Sequence, residues 1–239
     1  MSPAYVALHA AMEKTKAHTL RSAQAIIRGL FGGGVPESVV DFGCGRGDWL
    51  RAAREAGAHT VLGIDPFGDD SAGDDLPRVR HDLTQPWAPD RNYGLSLCVE
   101  VAEHLPPAAM PVLVGSITRA APLCVFSAAA PGQGGIGHLN ERVPADWARA
   151  FHAFGFECLD LRARFWADDT IEPWYRQNLL VFRRPGHGPK SWDVHRTDAP
   201  LHLVHPVIFA GFGGATGKDV IWDLDDAGAW HARSFGPVP

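Results

Sequence analysis

Short apolar runs alternate along the chain with segments in which apolar residues recur at helical spacing. Short apolar runs predict buried strands, and apolar residues every three or four positions, as from Ala23 to Leu30, predict helices. The predicted strands are 38–42, 60–64, 78–80, 95–99, 123–127, 156–161 and 179–182, and further helices lie near 49–56, 110–117 and 147–154. This alternation predicts a mostly parallel sheet with helices on both faces.

Three parts of the chain differ in pattern. Helical spacing before the glycines 32–34 predicts an N-terminal helical cap over residues 1–34, and residues 35–184 form the predicted core. Residues 185–239 are rich in Gly, Pro, His and aromatic residues, which is not the composition of a disordered tail. This C-terminal extension fits a packed extension, a lid or a dimer arm, so a homodimer is one arrangement that it allows.

Composition and charge exclude several classes of protein. The 239 residues are 46% hydrophobic and 21% charged, as in ordinary globular proteins, and the net charge is −5 at pH 7. No cluster of Lys and Arg stands out, so we expect a small-molecule partner, no nucleic acid and no membrane. No run approaches the ~20 apolar residues of a membrane span. Four scattered cysteines without a C-x-x-C pair favour a soluble, cytoplasmic, reduced protein.

The most informative segment is VVDFGCGRGDW, residues 39–49, which joins a predicted strand to a predicted helix. Gly43, Gly45 and Gly47 allow a tight turn that a ligand can approach without meeting a Cβ atom. A dinucleotide fingerprint requires G-x-G-x-x-G, but Asp48 stands at the third glycine position and would face the pyrophosphate. The segment therefore predicts a cofactor loop and disfavours NAD.

The run D-x-G-C-G-x-G resembles the first motif of the class I S-adenosylmethionine-dependent methyltransferases, and the resemblance covers residues 35–183. It implies a Rossmann-like α/β fold with a mostly parallel seven-stranded sheet, an antiparallel last strand and helices on both faces. In that family, residues at these positions orient the methionine end, bind the ribose hydroxyls and contact the adenine. The cofactor residues that the resemblance implies are Asp41, Gly43, Cys44, Gly45, Gly47, Asp65, Asp82 and Glu100. Asp82 is equally well explained as a loop or capping carboxylate.

A second motif, E-x-x-E-H, follows the fourth predicted strand and consists of Glu100, Glu103 and His104. In many class I methyltransferases this motif shapes the site and caps a helix without a metal. It also resembles the motif of ubiquinone-pathway O-methyltransferases and small-RNA 2′-O-methyltransferases, where these positions bind a divalent cation. The RNA group adds a histidine after the fifth strand, which His138 would supply here at a different spacing. Two carboxylates and two imidazoles suit Mg²⁺ or another divalent cation.

Without a cation, an imidazole is the predicted general base, because it accepts a proton near neutral pH. The candidates are His104 and His138, and each is also open to interpretation as a structural histidine. His138 lies in a glycine-rich loop that has little need of a packing histidine. With Glu103 of the E-x-x-E-H motif added to these histidines, the predicted catalytic residues are Glu103, His104 and His138.

The combined pattern predicts methyl transfer to an oxygen, or second to a nitrogen, of a small molecule. The stretch AAAPGQGGIGHLNERVPADW resembles bacterial methyltransferases of natural-product and sugar modification. We expect the N-terminal helices, the loop 131–143 and the C-terminal extension to shape the acceptor pocket. Residues 174–178 could line it as well, although packing at the sheet edge also explains Trp174 and Tyr175. Two alternatives remain: a methyltransferase fold that catalyses hydrolysis or elimination, and a noncatalytic scaffold subunit.

Overall fold

A computed structural model describes residues 3–67, 75–211, 220–225 and 229–234. Its strands are β1 (Ser38–Phe42), β2 (Thr60–Asp65), β3 (Arg78–Arg80), β4 (Leu95–Val99), β5 (Leu123–Ser127), β6 (Glu157–Leu159), β7 (Leu180–Arg183), β8 (Val220–Leu224) and β9 (Trp230–Ser234). Its α-helices are α1 (Pro3–Phe31), α2 (Asp48–Glu55), α3 (Met110–Ala120), α4 (Pro144–His152), α5 (Pro173–Asn178) and α6 (Pro206–Gly211). Residues 1–2, 212–219, 226–228 and 235–239 of the predicted terminal segments lie outside the described residues.

Seven strands form one sheet in the order β3-β2-β1-β4-β5-β7-β6. The pairs from β3 to β5 are parallel, whereas β7 runs antiparallel to both β5 and β6. The predicted seven-stranded sheet with an antiparallel last strand is therefore confirmed. Strand order reverses between β1 and β4, and such a switch point opens a crevice at the carboxyl ends of the strands.

Two apolar cores cover the two faces of the sheet. On one face, Ile26 of α1 and Leu50 of α2 are fully buried together with residues of α5. On the other face, Val114 of α3 and Phe151 of α4 are fully buried. Helices on both faces explain why the central strands read as continuous apolar runs rather than as alternating ones.

The C-terminal extension packs against the core. Trp192 is 1% exposed and lies with its ring centroid 5.7 Å from that of Phe31, at the end of α1. Strands β8 and β9 form an antiparallel hairpin, and Trp230 contacts Trp174 of α5 with a centroid distance of 4.8 Å. The aromatic residues of the extension are thus used as packing surfaces.

The predicted helix through Phe154 is wrong at its end. Helix α4 ends at His152, and the ring of Phe154 lies outside it with 41% of its surface exposed. Gly155 adopts a φ of 78°, and the N–H of Phe156 turns back to the carbonyl of Phe151. The left-handed stop at Gly155 thus directly follows the predicted helix 147–154, although the last α-helical residue is His152, two positions before Phe154. None of the described helices is long and apolar enough to span a membrane.

Candidate functional site

The glycine loop between β1 and α2 is a tight turn. Gly43 has a φ of 79° and Gly47 a φ of 82°, a region that favours glycine. A Cβ atom at Gly43 would collide with Val101, and one at Gly47 with Leu76. The carboxylate of Asp65, at the end of β2, accepts the N–H of Gly45 at 3.0 Å. The predicted loop residues and Asp65 are thus in direct contact.

Asp41 and Asp48 lie beneath this loop. Asp41 is 2% exposed, and burial, reinforced by the charges of Asp65 and Asp48, raises its pKa to about 7. The carboxylate of Asp48 is neutralised by Arg46 at 3.3 Å and Arg51 at 2.8 Å. Asp41 has no such cation beside it among the residues named in its electrostatics. A positively charged ligand would therefore favour the ionised form of Asp41.

Cys44 and Asp82, two further predicted cofactor-binding residues, differ in exposure. The Cys44 thiol is buried in the loop, and burial together with the charge of Asp41 raises its pKa. Asp82 follows β3 and is exposed; its Oδ1 accepts the N–H of Thr84 at 2.9 Å and the hydroxyl of Thr84 at 2.8 Å. These hydrogen bonds lower the pKa of Asp82 and form an Asx turn. Both residues lie at the same edge of the sheet as Asp41 and Asp65.

Glu100, directly after β4, has a strained backbone. Its φ is 53°, and it is the one non-glycine residue with positive φ in the described ranges. Such strain is concentrated at functional sites, where the surroundings enforce it. Here the Glu100 N–H donates to the carbonyl and the hydroxyl of Ser127, and its carboxylate accepts Asn178 Nδ2 at 3.2 Å and Gln133 Nε2 at 3.4 Å. The turn therefore holds Glu100 against two amide side chains.

Glu103, His104 and His138 come together beside that turn. Each offers a potential ligand atom within 4.8 Å of the other two, and the histidine rings meet edge to face with centroids 5.0 Å apart. Glu100, the fourth predicted ligand, is not in this group, because its carboxylate faces Asn178 and Gln133. The structure thus gathers the three predicted catalytic residues, although His138 is 34 positions from His104 in the sequence.

The electrostatics of this group are unusual. Glu103 is fully buried, neither carboxylate oxygen has a well-aligned hydrogen-bond partner among the described residues, and burial together with nearby Glu100 raises its pKa. Burial and the proximity of His138 lower the pKa of His104 to about 4. His104 is therefore neutral at pH 7. A positive charge entering the site would favour the ionised carboxylate of Glu103 and would keep the imidazole of His104 neutral.

Glu141 is a functional candidate that sequence reasoning missed. Its Oε1 lies 2.9 Å from His138 Nδ1, and it accepts the backbone N–H groups of Gly134 at 2.8 Å and Gly132 at 2.9 Å. Burial raises the pKa of Glu141, but these hydrogen bonds outweigh it and the net shift is downward. This contact orients the imidazole of His138, with Nδ1 facing the Glu141 carboxylate. The H-x-x-E spacing was the available signal.

The fold and the glycine loop define a class I S-adenosylmethionine-dependent methyltransferase. Independently, residues 16–161 match the family described as "Methyltransferase domain", a match that spans more than half of the chain. The chain belongs to this family and is an S-adenosylmethionine-dependent methyltransferase, as the predicted resemblance stated. No curated protein matches its sequence.

Solved structures share the fold at low sequence identity. Magnesium protoporphyrin IX methyltransferase from Synechocystis with bound SAM has a TM-score of 0.51 at 18% identity, covering 73% of this chain and 83% of that chain. The 1,6-didemethyltoxoflavin-N1-methyltransferase of Burkholderia thailandensis, with bound S-adenosylhomocysteine, has 0.51 at 19%, covering 70% and 78%. The small RNA methyltransferase HEN1 has 0.50 at 13%, covering 70% and 25%. Their named acceptors differ, so the shared fold does not identify an acceptor.

Proposed function

We propose that this methyltransferase acts on an oxygen atom of a small molecule, with His138 as the general base. The observation that carries the proposal is the Glu141–His138 contact of 2.9 Å beside the strained turn of Glu100. A hydroxyl acceptor must lose its proton during methyl transfer, and an oriented imidazole with a free lone pair can take it. An amine acceptor has less need of such a base, which makes nitrogen the second choice.

The glycine loop fits S-adenosylmethionine. The positive φ values of Gly43 and Gly47 form a tight turn, and Asp41 is a buried carboxyl with no cation among the residues named in its electrostatics. When bound, the cofactor supplies an already activated sulfonium methyl group. Asp41 would face the positively charged methionine end, Asp65 would accept the ribose hydroxyls, and Asp82 would lie at the adenine. The protein then has to align the acceptor and exclude water.

His138 is favoured over His104 as the base. Because burial holds the pKa of His104 near 4, its imidazole is a weak proton acceptor at neutral pH. His138, in contrast, is oriented by the carboxylate of Glu141, which lies 2.9 Å from its Nδ1. His104 packs edge to face against the His138 ring and positions it.

Calorimetric titration of S-adenosylmethionine and S-adenosylhomocysteine tests the cofactor part. We expect micromolar binding to the wild type, a loss of about 100-fold in Asp65→Ala, and no change in Asp146→Asn, a carboxylate of α4 paired with Arg149 on the surface. Absence of binding would contradict the proposal and favour the non-methylating enzyme or the scaffold subunit.

A divalent cation at Glu103, His104 and His138 is the second candidate. The buried carboxyl of Glu103, whose oxygens lack a well-aligned hydrogen-bond partner among the described residues, favours it. So does the Glu141–His138 contact, since metal-binding histidines usually donate their other N–H to a carboxylate. These residues would hold the ion, which would lower the pKa of an acceptor hydroxyl.

Titration of Mn²⁺ into EDTA-treated protein separates the two candidates. Heat that disappears in Glu103→Ala, together with activity lost in excess EDTA, supports the cation. Full activity in EDTA excludes a catalytic cation and leaves His138 acting alone. Cofactor affinity serves as the control, because Glu103→Ala should leave it nearly unchanged.

The charge of the chain supports the partner part of the proposal. The net charge of −5 favours a small-molecule acceptor over nucleic acid, whose phosphates require a positive surface. A role in natural-product or sugar modification, a cytoplasmic location and a homodimer remain predictions of the sequence.

A further inference from the structure

A cavity of about 140 Å³ lies between the loop after β5, helix α5 and the C-terminal extension. This volume is close to that of protein cavities that hold one benzene molecule, ~150 Å³. The cavity therefore has room for a single six-membered ring. Its walls come from segments far apart in sequence, including Pro131, Gln133, Gln177, Val204, Ile208 and Phe209.

The floor of the cavity is connected to the strained turn of Glu100. Gln133 and Gln177 line the cavity, and Gln177 Nε2 donates to Gln133 Oε1 at 3.0 Å. Asn178 Nδ2 donates to the same Gln133 oxygen at 2.8 Å and to Glu100 at 3.2 Å. This chain of amides runs from the cavity to the carboxyl end of β4, so a ligand in the cavity would lie close to the proposed reaction centre.

The outer wall is apolar and anchored. Ile208 is 2% exposed and fixes the start of α6, and the backbone N–H of His205 donates to Gln177 Oε1 at 2.8 Å. In contrast, Val204 is 51% exposed and Phe209 76% exposed, although both line the cavity. A held backbone that presents uncovered apolar side chains around a ring-sized cavity is preorganised for an apolar ligand.

The described residues of the cavity wall are uncharged, and this restricts the kind of ligand that can bind. None of the described residues that line the cavity is a Lys, Arg, Asp or Glu. An ionised carboxylate, phosphate or ammonium group would lose its hydration there without a counterion. Gln133 retains one amide N–H, Gln177 Oε1 retains a lone pair, and His202 adds an imidazole, so a hydroxyl or carbonyl substituent would find partners.

We infer that this cavity binds an uncharged aromatic ring of the methyl acceptor, with Phe209 and Val204 covering the ring and the amides of Gln133 and Gln177 contacting its polar substituent. The acceptor class is therefore a neutral phenolic or hydroxylated heteroaromatic compound, not an anionic sugar or nucleotide. This inference rests on the proposed methyl transfer, because that function makes the cavity an acceptor site.

The test uses 4-fluorophenol as a probe, observed by ¹⁹F NMR with the full chain saturated with S-adenosylhomocysteine. We expect 4-fluorophenol to bind at least about fivefold more tightly than 4-fluorobenzoate or 4-fluorobenzylamine. Phe209→Ala should raise its dissociation constant about fivefold. Leu201→Ala is the matched control, because Leu201 is 68% exposed on the same segment and does not line the cavity, and it should change the constant less than about twofold.

Val204→Trp gives a second variant that does not depend on loss of packing. The indole would occupy the cavity, so 4-fluorophenol binding should disappear while S-adenosylhomocysteine affinity is unchanged. Equal effects of Phe209→Ala and Leu201→Ala, or preferred binding of 4-fluorobenzoate, would overturn the inference.

Separate titration of S-adenosylhomocysteine distinguishes a failure of the cavity inference from a failure of the proposed function. If that compound binds and 4-fluorophenol does not, the cavity inference alone fails. If 4-fluorophenol binds to the chain alone and S-adenosylhomocysteine does not bind, the proposed function fails, and the assignment of the cavity to a methyl acceptor fails with it.

Discussion

The two halves of the site are built in opposite ways. The glycine-loop side, residues 41–48 with Asp65, comes from one continuous strand-turn-helix segment and one neighbouring strand end. The histidine side, residues 100–104 with 133–141, joins two loops that are then braced by α5 and the C-terminal extension. Local backbone geometry shapes the first side, and contacts between distant segments shape the second.

Their electrostatics differ as well. On the glycine-loop side, the pKa of Asp41 is raised to about 7, so this carboxyl changes charge near neutral pH. On the histidine side, the pKa of His104 is lowered to about 4, and its imidazole stays neutral. Both shifts come mainly from burial, which disfavours whichever form is charged. The first side is thus ready to respond to a cationic ligand, and the second keeps an uncharged imidazole beside His138.

The largest expected effect comes from a substitution that disrupts only the histidine side. In Glu141→Gln, the amide no longer stabilises a protonated His138, so we expect kcat to fall about 100-fold or more. Transfer of a labelled methyl group to an acceptor found by screening measures this. Asp146→Asn, nearby on α4, is the control, and S-adenosylhomocysteine should bind both variants within about twofold of the wild type. Retention of activity in Glu141→Gln would refute the assigned role of the pair.

The effect of intermediate size is a pH dependence of cofactor affinity on the glycine-loop side. The free protein holds a proton on Asp41 below about pH 7, and a bound cationic cofactor favours the ionised form. Binding therefore releases a proton, and affinity should weaken by up to about tenfold per pH unit as the pH falls below about 7, with a plateau above it. Calorimetric titration of S-adenosylmethionine between about pH 5.5 and pH 8.5, at about half-unit steps, measures how the affinity changes with pH. The same slope in Asp41→Asn would show that another group is responsible.

The smallest effect concerns Glu172, which lies where α1 meets α5. Burial, opposed by hydrogen bonds from Ser22 and Thr19 and reinforced by Glu100, raises its pKa from 4.5 to about 8. Because the folded pKa is raised, this carboxyl lowers stability as the pH rises from 4.5 towards about 8. Glu172→Gln should raise Tm by roughly 5 °C at pH 8 and leave it unchanged near pH 4.

Glu157→Gln supplies a control of opposite sign. The carboxylate of Glu157 contacts Arg183 and Arg196, each at 3.1 Å, and these contacts lower its pKa despite the opposing effect of burial. Its loss should therefore reduce Tm at pH 8. Equal behaviour of both variants in thermal unfolding would contradict the assignment of opposite pKa shifts.

Most of the sheet could be predicted because its strands are buried on both faces. The bounds of β1, β4 and β5 were predicted to the residue, and β2 differs only by Asp65 at its end. The helix end at α4 was missed, since an apolar residue at the right spacing, Phe154, lies in the turn beyond it. Apolar periodicity reports which face is buried but not where a helix stops.

Some residues of the candidate site could be predicted from the sequence, and others could not. Asp41, Gly43 and Asp65 follow from a motif that reads in order along the chain, whereas Gln133 has no motif and Glu141 has only the short H-x-x-E spacing. Gln177 belonged to the segment expected to line the acceptor pocket, yet its partner His205 lies 28 positions later. Hydrogen bonds between such distant residues leave no periodic trace in a sequence.

The amino-acid sequence alone predicted the fold class, the glycine loop and two candidate bases, His104 and His138, because the fold and the loop depend on local backbone preferences and short spacings. The tertiary structure alone decided that Glu141 contacts His138, that Glu103 is buried beside Glu100, and that the extension lines a ring-sized cavity. These features depend on desolvation and on contacts across the fold, and both exist only once the chain has packed.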